Sequence, residues 1–468
     1  MKVLFANPPT YMMSGRFNRP IRFPTYNYAT PVLHPPLLLA YAAAYIRSRG
    51  HEVDLIDSQV TSQSVPVFIE DLKKRAPDFV IFETSTPSLS NDIQISREIK
   101  NMIQCTIIFV GPHVSALPME TLKQSDSVDA VVIGEYEISL ADYIENGGEN
   151  TEGICYRNDS GEIILNSPRS YNVNLDELPV PARDLLSNYS YFDPILKNPF
   201  TFVLGGRGCP HQCTYCNWPQ VMTGRKYRYR SAKNIVDEIA ELQTKYHFKS
   251  FLFNDDTFTA SKRHVIDVCD EMIKRGITIP WACYSRADLD DLEVLQKLHQ
   301  AGCFMLKVGI ESGDPKILKN IKKNYDLFKV EKSIALMKKT GFHVHGTFVF
   351  GFPGETKDSI EKTIAYAIRV SPTTVQFSSA IPYPGCELFN ELKMKGFLLT
   401  ENWDEYMPMH AIFEYPDLSS EEMKNAVEMA YKKYYFRLGY LPTGVKQFFS
   451  NPRVVTSNIK RLISLVRS

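Results

Sequence analysis

Three cysteines, Cys209, Cys213 and Cys216, stand within eight residues in the run Cys209-Pro210-His211-Gln212-Cys213-Thr214-Tyr215-Cys216. Thiolates are soft ligands, and three on one loop can converge on an iron–sulfur cluster. Three protein ligands for a four-iron cluster leave one iron open, which makes the cluster reactive rather than only electron-carrying. Zinc is the competing chemistry, but a structural zinc takes four ligands. His211 is the one other candidate nearby, it lies awkwardly inside the loop, and the chain holds no second Cys-x-x-Cys pair.

The elements that must position this loop form an alternating pattern. The cysteine run follows an expected strand at 201–204 and the turn Gly205-Gly206-Arg207-Gly208. Further β-rich runs at 250–253, 281–285, 305–309, 345–350 and 374–380 alternate with helical patterns such as 232–246 and 292–301. Six parallel strands with crossover helices make a partial barrel, short of the usual eight, with its active face at the strand C-termini. Residues 196–395 are read as this barrel and 396–468 as a mainly helical C-terminal region. The strand ends carry Asn254-Asp255-Asp256, Arg286, Gly309-Ile310-Glu311-Ser312-Gly313, Gly351-Phe352-Pro353-Gly354-Glu355 and Pro382-Tyr383-Pro384-Gly385. Each has a plain structural reading beside a functional one: solvated aspartates, a salt bridge for Arg286, and a Lys or Arg partner for Glu311, because an unpaired buried carboxylate is costly.

Residues 1–145 alternate in the same way. Strands are expected at 2–6, 51–56, 79–83, 106–110 and 130–133, and helices at 36–49, 68–75 and 92–102, the first stopping at Gly50. This is the pattern of a doubly wound parallel sheet, in which ligands sit beyond the C-terminal ends of the strands. Those ends carry Asn7-Pro8-Pro9, Thr84-Ser85-Thr86, Gly111-Pro112-His113 and Gly134-Glu135. Small and turn-forming residues let a backbone approach a large ligand, and four such segments together point to a cofactor face rather than to turns alone. Residues 146–195 are irregular and read as a linker, with a hairpin turn at Asn158-Asp159-Ser160-Gly161.

The Cys-x-x-x-Cys-x-x-Cys spacing after a barrel strand, with the strand-end segments in this order, resembles the radical S-adenosylmethionine (SAM) enzymes. The resemblance implies that Cys209, Cys213 and Cys216 hold a [4Fe–4S] cluster whose open iron binds the amino and carboxylate groups of SAM. An external electron donor such as flavodoxin or ferredoxin would reduce it, cleaving SAM to methionine and a 5′-deoxyadenosyl radical. It further implies that Tyr215 packs near the adenine, Asp255 and Asp256 face the SAM ammonium, and Arg286 pairs with the carboxylate. Glu311 and Ser312 would meet the ribose, and Gly351 and Pro353 belong to the segment facing the adenine.

The N-terminal half resembles the cobalamin-binding domain fused to one large branch of these enzymes, through Asn7-Pro8-Pro9, Gly111-Pro112-His113 and Gly134-Glu135-Tyr136-Glu137. That implies a Rossmann-like, cobalamin-binding α/β domain ahead of a partial (β/α)6 barrel. Cobalamin would lie against Asn7, Pro8, Pro9, Thr84, Ser85, Thr86, Gly111, His113, Gly134 and Glu135. The Asp-x-His-x-x-Gly motif that ligates cobalt in many cobalamin proteins is absent, so His113 is not assigned as a cobalt ligand. Members of this branch commonly bind the cofactor without one. The implied activity is that of the class B methyltransferases: methyl transfer to an unactivated centre, using a 5′-deoxyadenosyl radical and methylcobalamin. The anaerobic magnesium-protoporphyrin ester cyclases are similar too, so ring closure is the alternative. A cobalamin or iron–sulfur sensor without turnover is a third reading, opposed by the full set of SAM-contact segments.

Composition bounds the rest. The 468 residues call for more than one domain, and 44% hydrophobic with 23% charged residues is ordinary for a globular protein. Acids and bases balance at 53 each, and no phosphate-binding glycine loop or nucleic-acid motif occurs, which argues against nucleic acid as substrate. Nine unevenly spaced cysteines suit a reducing, cytoplasmic compartment better than a disulfide framework. The start lacks the apolar region of a signal peptide, and the longest apolar stretch is shorter than the ~20 residues of a membrane span. From Met429 onward there are eight basic residues and no acid. Lys460 and Arg461 there mix with Ile459, Leu462, Ile463 and Leu465 at helical spacing, so the tail reads either as a weak membrane-surface contact or as a helix docked on the barrel. The expected substrate is a small molecule, lipid or peptide. Residues 403–413, with Tyr406, Met407, Met409 and His410, read as a cap over the barrel mouth or as a surface loop.

Overall fold

The computed structural model of the chain describes residues 1–11, 16–19, 25–27, 32–407 and 411–440. Strands β1 (Lys2–Asn7), β2 (Glu52–Asp57), β3 (Phe79–Glu83), β4 (Thr106–Val110) and β5 (Ala130–Val132) form a parallel sheet in the order β2-β1-β3-β4-β5. Past its first residue β1 is buried throughout, as a strand covered on both faces must be. Helix α1 (Leu37–Ser48) owes its stability to a run of leucine and alanine, strong helix formers, and ends where Gly50 takes φ +91°. The order reverses between β1 and β3, the switch point where open α/β sheets bind ligands.

The hairpin read as part of a linker is instead paired to this sheet. Strands β6 (Ile154–Arg157) and β7 (Ile163–Leu165) continue it antiparallel beyond β5. Ile154 and Cys155 are fully buried there, and pairing covers an edge of β5 that would otherwise present unpaired backbone groups.

The second sheet is parallel and sequential: β8 (Phe200–Val203), β9 (Ser250–Phe253), β10 (Trp281–Arg286), β11 (Cys303–Glu311), β12 (His343–Phe350) and β13 (Thr374–Ser379). It is the six-stranded partial barrel that the alternation predicts. Helix α2 (Ser420–Tyr435) packs on its last strand. Backbone N–H groups of Val375 and Phe377 donate to the hydroxyls of Tyr435 and Tyr431 at 3.0 and 3.1 Å, closing the open edge of β13. Lys433 also pairs with Glu361 at 2.7 Å, so the described start of the basic tail is docked on the barrel. The stretch 458–466, with the bases from Lys446 onward, and Met409 and His410 lie outside the described residues. Among the described residues no helix is long and apolar enough to cross a membrane.

Candidate active site

The cysteine loop is a closed excursion from the top of β8. Gly206 and Arg207 pair antiparallel with Tyr229 and Arg228, joining the two ends of the loop. Gly208 holds φ +90°, and a Cβ there would collide with the Lys226 carbonyl. The Cys209 N–H donates to Gly224 O at 3.2 Å, and the Cys216 N–H to Cys213 O at 3.3 Å. Asp255 and Asp256 brace this loop from the end of β9. Asp255 accepts from Gly205 N at 2.8 Å and Tyr227 Oη at 3.1 Å; Asp256 accepts from Gly208 N and Thr223 Oγ1, both at 2.9 Å.

Cys213 is buried, while Cys209 and Cys216 are half-buried. Burial raises the Cys209 thiol above its ordinary value, so its thiolate needs an electropositive partner, which a cluster iron supplies. Among the described residues no three Cys, His, Asp or Glu side chains gather tightly enough for one metal ion.

Tyr215 and Glu311 are brought together, with Lys323 as the third member. The Tyr215 hydroxyl donates to Glu311 Oε1 at 3.0 Å, and Lys323 Nζ lies 3.1 Å from the same oxygen and 3.2 Å from the hydroxyl. Lys323 is the partner that a buried Glu311 requires; its one signal in the sequence was that requirement. Glu311 takes φ +71°, an uncommon conformation for a residue with a side chain and one that clusters at functional sites.

Arg286 and Ser312, like Asp255 and Asp256, are engaged by neighbouring residues. Arg286 makes a two-pronged bond to Asp288 at 2.8 and 2.9 Å and stacks 4.5 Å from the Tyr325 ring centre, which is the salt-bridge reading. Ser312 is fully buried, 3.1 Å from Thr363 Oγ1 and accepting from Asp314 N, so it supports the turn after β11. Gly351 takes φ +95°, and a Cβ on it would lie 2.6 Å from the Met423 sulfur. The Pro353 carbonyl accepts from Asn320 at 2.8 Å.

At the C-terminal ends of the first sheet, four buried polar atoms have no hydrogen-bond partner among the described residues: Asn7 Oδ1, Glu83 Oε2, Thr84 Oγ1 and His113 Nε2. Buried polar atoms are nearly always satisfied, so four orphans at one sheet edge mark a place for a polar ligand. Burial raises Glu83 to about 7 and lowers His113 to about 3, so His113 is neutral. Nearby, the Pro8 and Pro9 carbonyls accept from Gln59 and Asn91, Ser85 pairs with Ser88, and Thr86 Oγ1 lies 3.2 Å from His113 Nδ1. Gly111 takes φ +112°, and Gly134 takes φ +77° against Tyr171. These residues fit a large polar cofactor rich in amide groups. Trp403 sits edge-on to His113 at 5.2 Å between ring centres, so the segment read as a cap reaches the first domain.

The two strand-end faces meet. Glu135 pairs with Arg228 and, at 3.4 Å, with Arg207; Glu137, from the same segment, pairs with Arg207 at 2.6 Å. Trp218 and Met222, just past Cys216, pack into the core of the first domain. Between the faces lies a small cleft lined by Glu135, Tyr136, Glu137, Arg207, Asn254 and Asp256.

Comparison with known proteins agrees with this geometry. The Radical SAM superfamily model matches residues 203–367, and the B12 binding domain model matches residues 29–144. An uncharacterized methyltransferase of Pyrococcus horikoshii is 30% identical over 93% of each chain. The anaerobic magnesium-protoporphyrin IX monomethyl ester cyclase of Rubrivivax gelatinosus is 24% identical over 87% of this chain and 75% of its own. The fold matches that of the cobalamin-dependent SAM radical enzyme OxsB, with TM-score 0.74 and 17% identity over 99% of this chain and 70% of that one. The chain therefore belongs to the radical SAM superfamily, in the branch that carries a B12 binding domain ahead of the barrel.

Proposed function

We propose that the protein is a cobalamin-dependent methyltransferase that acts on an unactivated centre of a small-molecule, lipid or peptide substrate. The observation that carries this is the junction of the two domains, where the Arg207–Glu137 pair ties the strand leading into the cysteine loop to the first sheet, whose strand ends carry the Asn7, Glu83, Thr84 and His113 atoms without a partner among the described residues. When bound, the cluster passes an electron from an external donor to SAM, and cobalamin carries the methyl group. The protein's own residues hold these groups in register. Cys209, Cys213 and Cys216 ligate the cluster, and Asp255 and Asp256 fix their loop. Tyr215, Glu311 and Lys323 form the polar wall toward the SAM nucleoside, with Gly351 and Pro353 on the next strand end. Asn7, Thr84 and His113 offer the atoms that would bond cobalamin, and Gly111 and Gly134 let the backbone approach it. The Pyrococcus relative, named a methyltransferase, supports the reading. Nine free cysteines accord with a reducing cytoplasm.

The test is anaerobic reconstitution with iron, sulfide and cobalamin, then turnover with methyl-deuterated SAM and a reductant. S-adenosylhomocysteine together with 5′-deoxyadenosine and a deuterated product supports methyl transfer. Cys213→Ala should abolish 5′-deoxyadenosine and lose iron from about four atoms per chain. The cyclase similarity keeps ring closure as the second reading: 5′-deoxyadenosine without S-adenosylhomocysteine or a methylated product would favour it. Stoichiometric zinc without iron would overturn both.

A further inference from the structure

Barrel interiors are normally packed with branched apolar side chains. Here the inner face is accessible above its buried floor. Along β10 to β13 the outward residues Cys283, Leu306, Val344 and Val375 are buried, while the inward residues Tyr284, Lys307, His345, Thr347 and Thr374 are half-buried and Gln376 is exposed. The lumen is therefore open, and it is polar.

Register aligns these side chains. Tyr284 pairs with Lys307, Lys307 with His345, and His345 with Thr374, giving one row across four strands. The next row toward the mouth is Arg286, Gly309, Thr347 and Gln376, which begins the expected SAM segments. Two residues of strand separate the rows by ~6.6 Å. Below lies an apolar floor with Leu252, Ala282 and Met305.

Lys307 is the cation of this row. Its ammonium lies 5.6 Å from the Tyr284 ring centre and forms no hydrogen bond or ion pair among the described residues. The carboxylate acting on it is Asp193, already bonded to His34 at 2.9 Å. Burial opposes its charge, but Tyr284 and Asp193 outweigh that and keep Lys307 protonated. Burial lowers His345 to about 3, so it is a neutral donor or acceptor held by Thr374 at 2.8 Å.

We infer that Lys307, flanked by Tyr284, His345 and Gln376, is a specificity site that receives an anionic oxygen group of the substrate, a carboxylate or a phosphate, one row beneath SAM. An ammonium beside neutral hydrogen-bonding groups, with the nearby Asp193 carboxylate engaged by His34, above an apolar floor, suits an acid carrying an apolar body. The assignment rests on the reading that the substrate enters the lumen of a radical SAM barrel.

The probes are inorganic phosphate and ¹³C-acetate, added to the reconstituted holoenzyme and followed by ³¹P and ¹³C line broadening. Wild type and Lys307→Arg should bind at least one ion, and Lys307→Met should weaken it at least tenfold with iron content and SAM binding retained. Broadening by one ion alone identifies the group as phosphate or carboxylate. No binding of either ion, or equal binding by Lys307→Met, overturns the assignment. If Lys307→Met loses iron, Lys307→Gln carries the same test. Because binding is read without turnover, failure here leaves methyl transfer standing, and failure of methyl transfer leaves the anion site standing.

Discussion

Arg207 Nη2 donates to Glu137 Oε1 at 2.6 Å, joining the strand that leads into the cysteine loop to the ligand edge of the first sheet. Both side chains are buried, and Glu135 stands 3.4 Å from the same guanidinium. Removing one partner of a buried pair leaves an uncompensated charge, costing about 3–5 kcal/mol. Arg207→Met, which strands the Glu137 carboxylate while Glu135 keeps Arg228, should lower stability by about that amount in urea denaturation. Arg207→Met/Glu137→Met should recover part of the loss; a double variant no more stable than Arg207→Met would refute the coupling.

Gly111 separates β4 from the short helix Pro112–Ala116 at φ +112°, where a Cβ would lie 2.8 Å from the Thr84 carbonyl. Such backbone strain costs roughly 1–3 kcal/mol. Gly111→Ala should shift the Thr84 segment and reduce cobalamin retained after gel filtration, while iron content stays at the wild-type level. Unchanged cobalamin would remove this edge from the cofactor site.

Glu355 accepts from Gly351 N and Phe352 N, and burial raises its pKa from 4.5 to about 8. The folded state thus binds the extra proton between those values, and stability from this group falls as pH rises through that window. The full effect is on the order of 5 kcal/mol. Glu355→Gln, which mimics the protonated acid, should lack this slope. Urea midpoints at about pH 5.5, 7 and 8.5 should show the variant gaining on wild type as pH rises; parallel curves would contradict the shift.

Lys323 is the cation against Glu311 and the Tyr215 hydroxyl. Lys323→Met should raise the SAM dissociation constant about tenfold with iron unchanged, a loss of roughly 1.4 kcal/mol. Tyr215→Phe, which removes the hydroxyl bonded to the Glu311 carboxylate and the Lys323 ammonium, should weaken SAM as well, by roughly 1.5 kcal/mol. Calorimetric titration of SAM into the reconstituted variants checks both, and equal affinities would place SAM elsewhere.

Much of the molecule was legible in the chain because its signals are local. Strand–helix alternation located both sheets, since a parallel strand must be followed by a crossover of recognisable period. The cysteine spacing belongs to one short loop, and the strand-end segments follow each strand directly. Glycines at Gly111, Gly208 and Gly351 occupy positive-φ positions that disfavour other residues.

The remaining decisions join residues distant in sequence. Pairing of β6 with β5, the turning of Ser312 to Thr363, and the reach of Trp403 to His113 follow from which layers touch. The row of Tyr284, Lys307 and His345 depends on register, because a shift of one residue moves a side chain to the opposite face. Periodicity tells that Lys307 lies on a strand; only the packed barrel decides that its ammonium faces an open lumen instead of the helices outside.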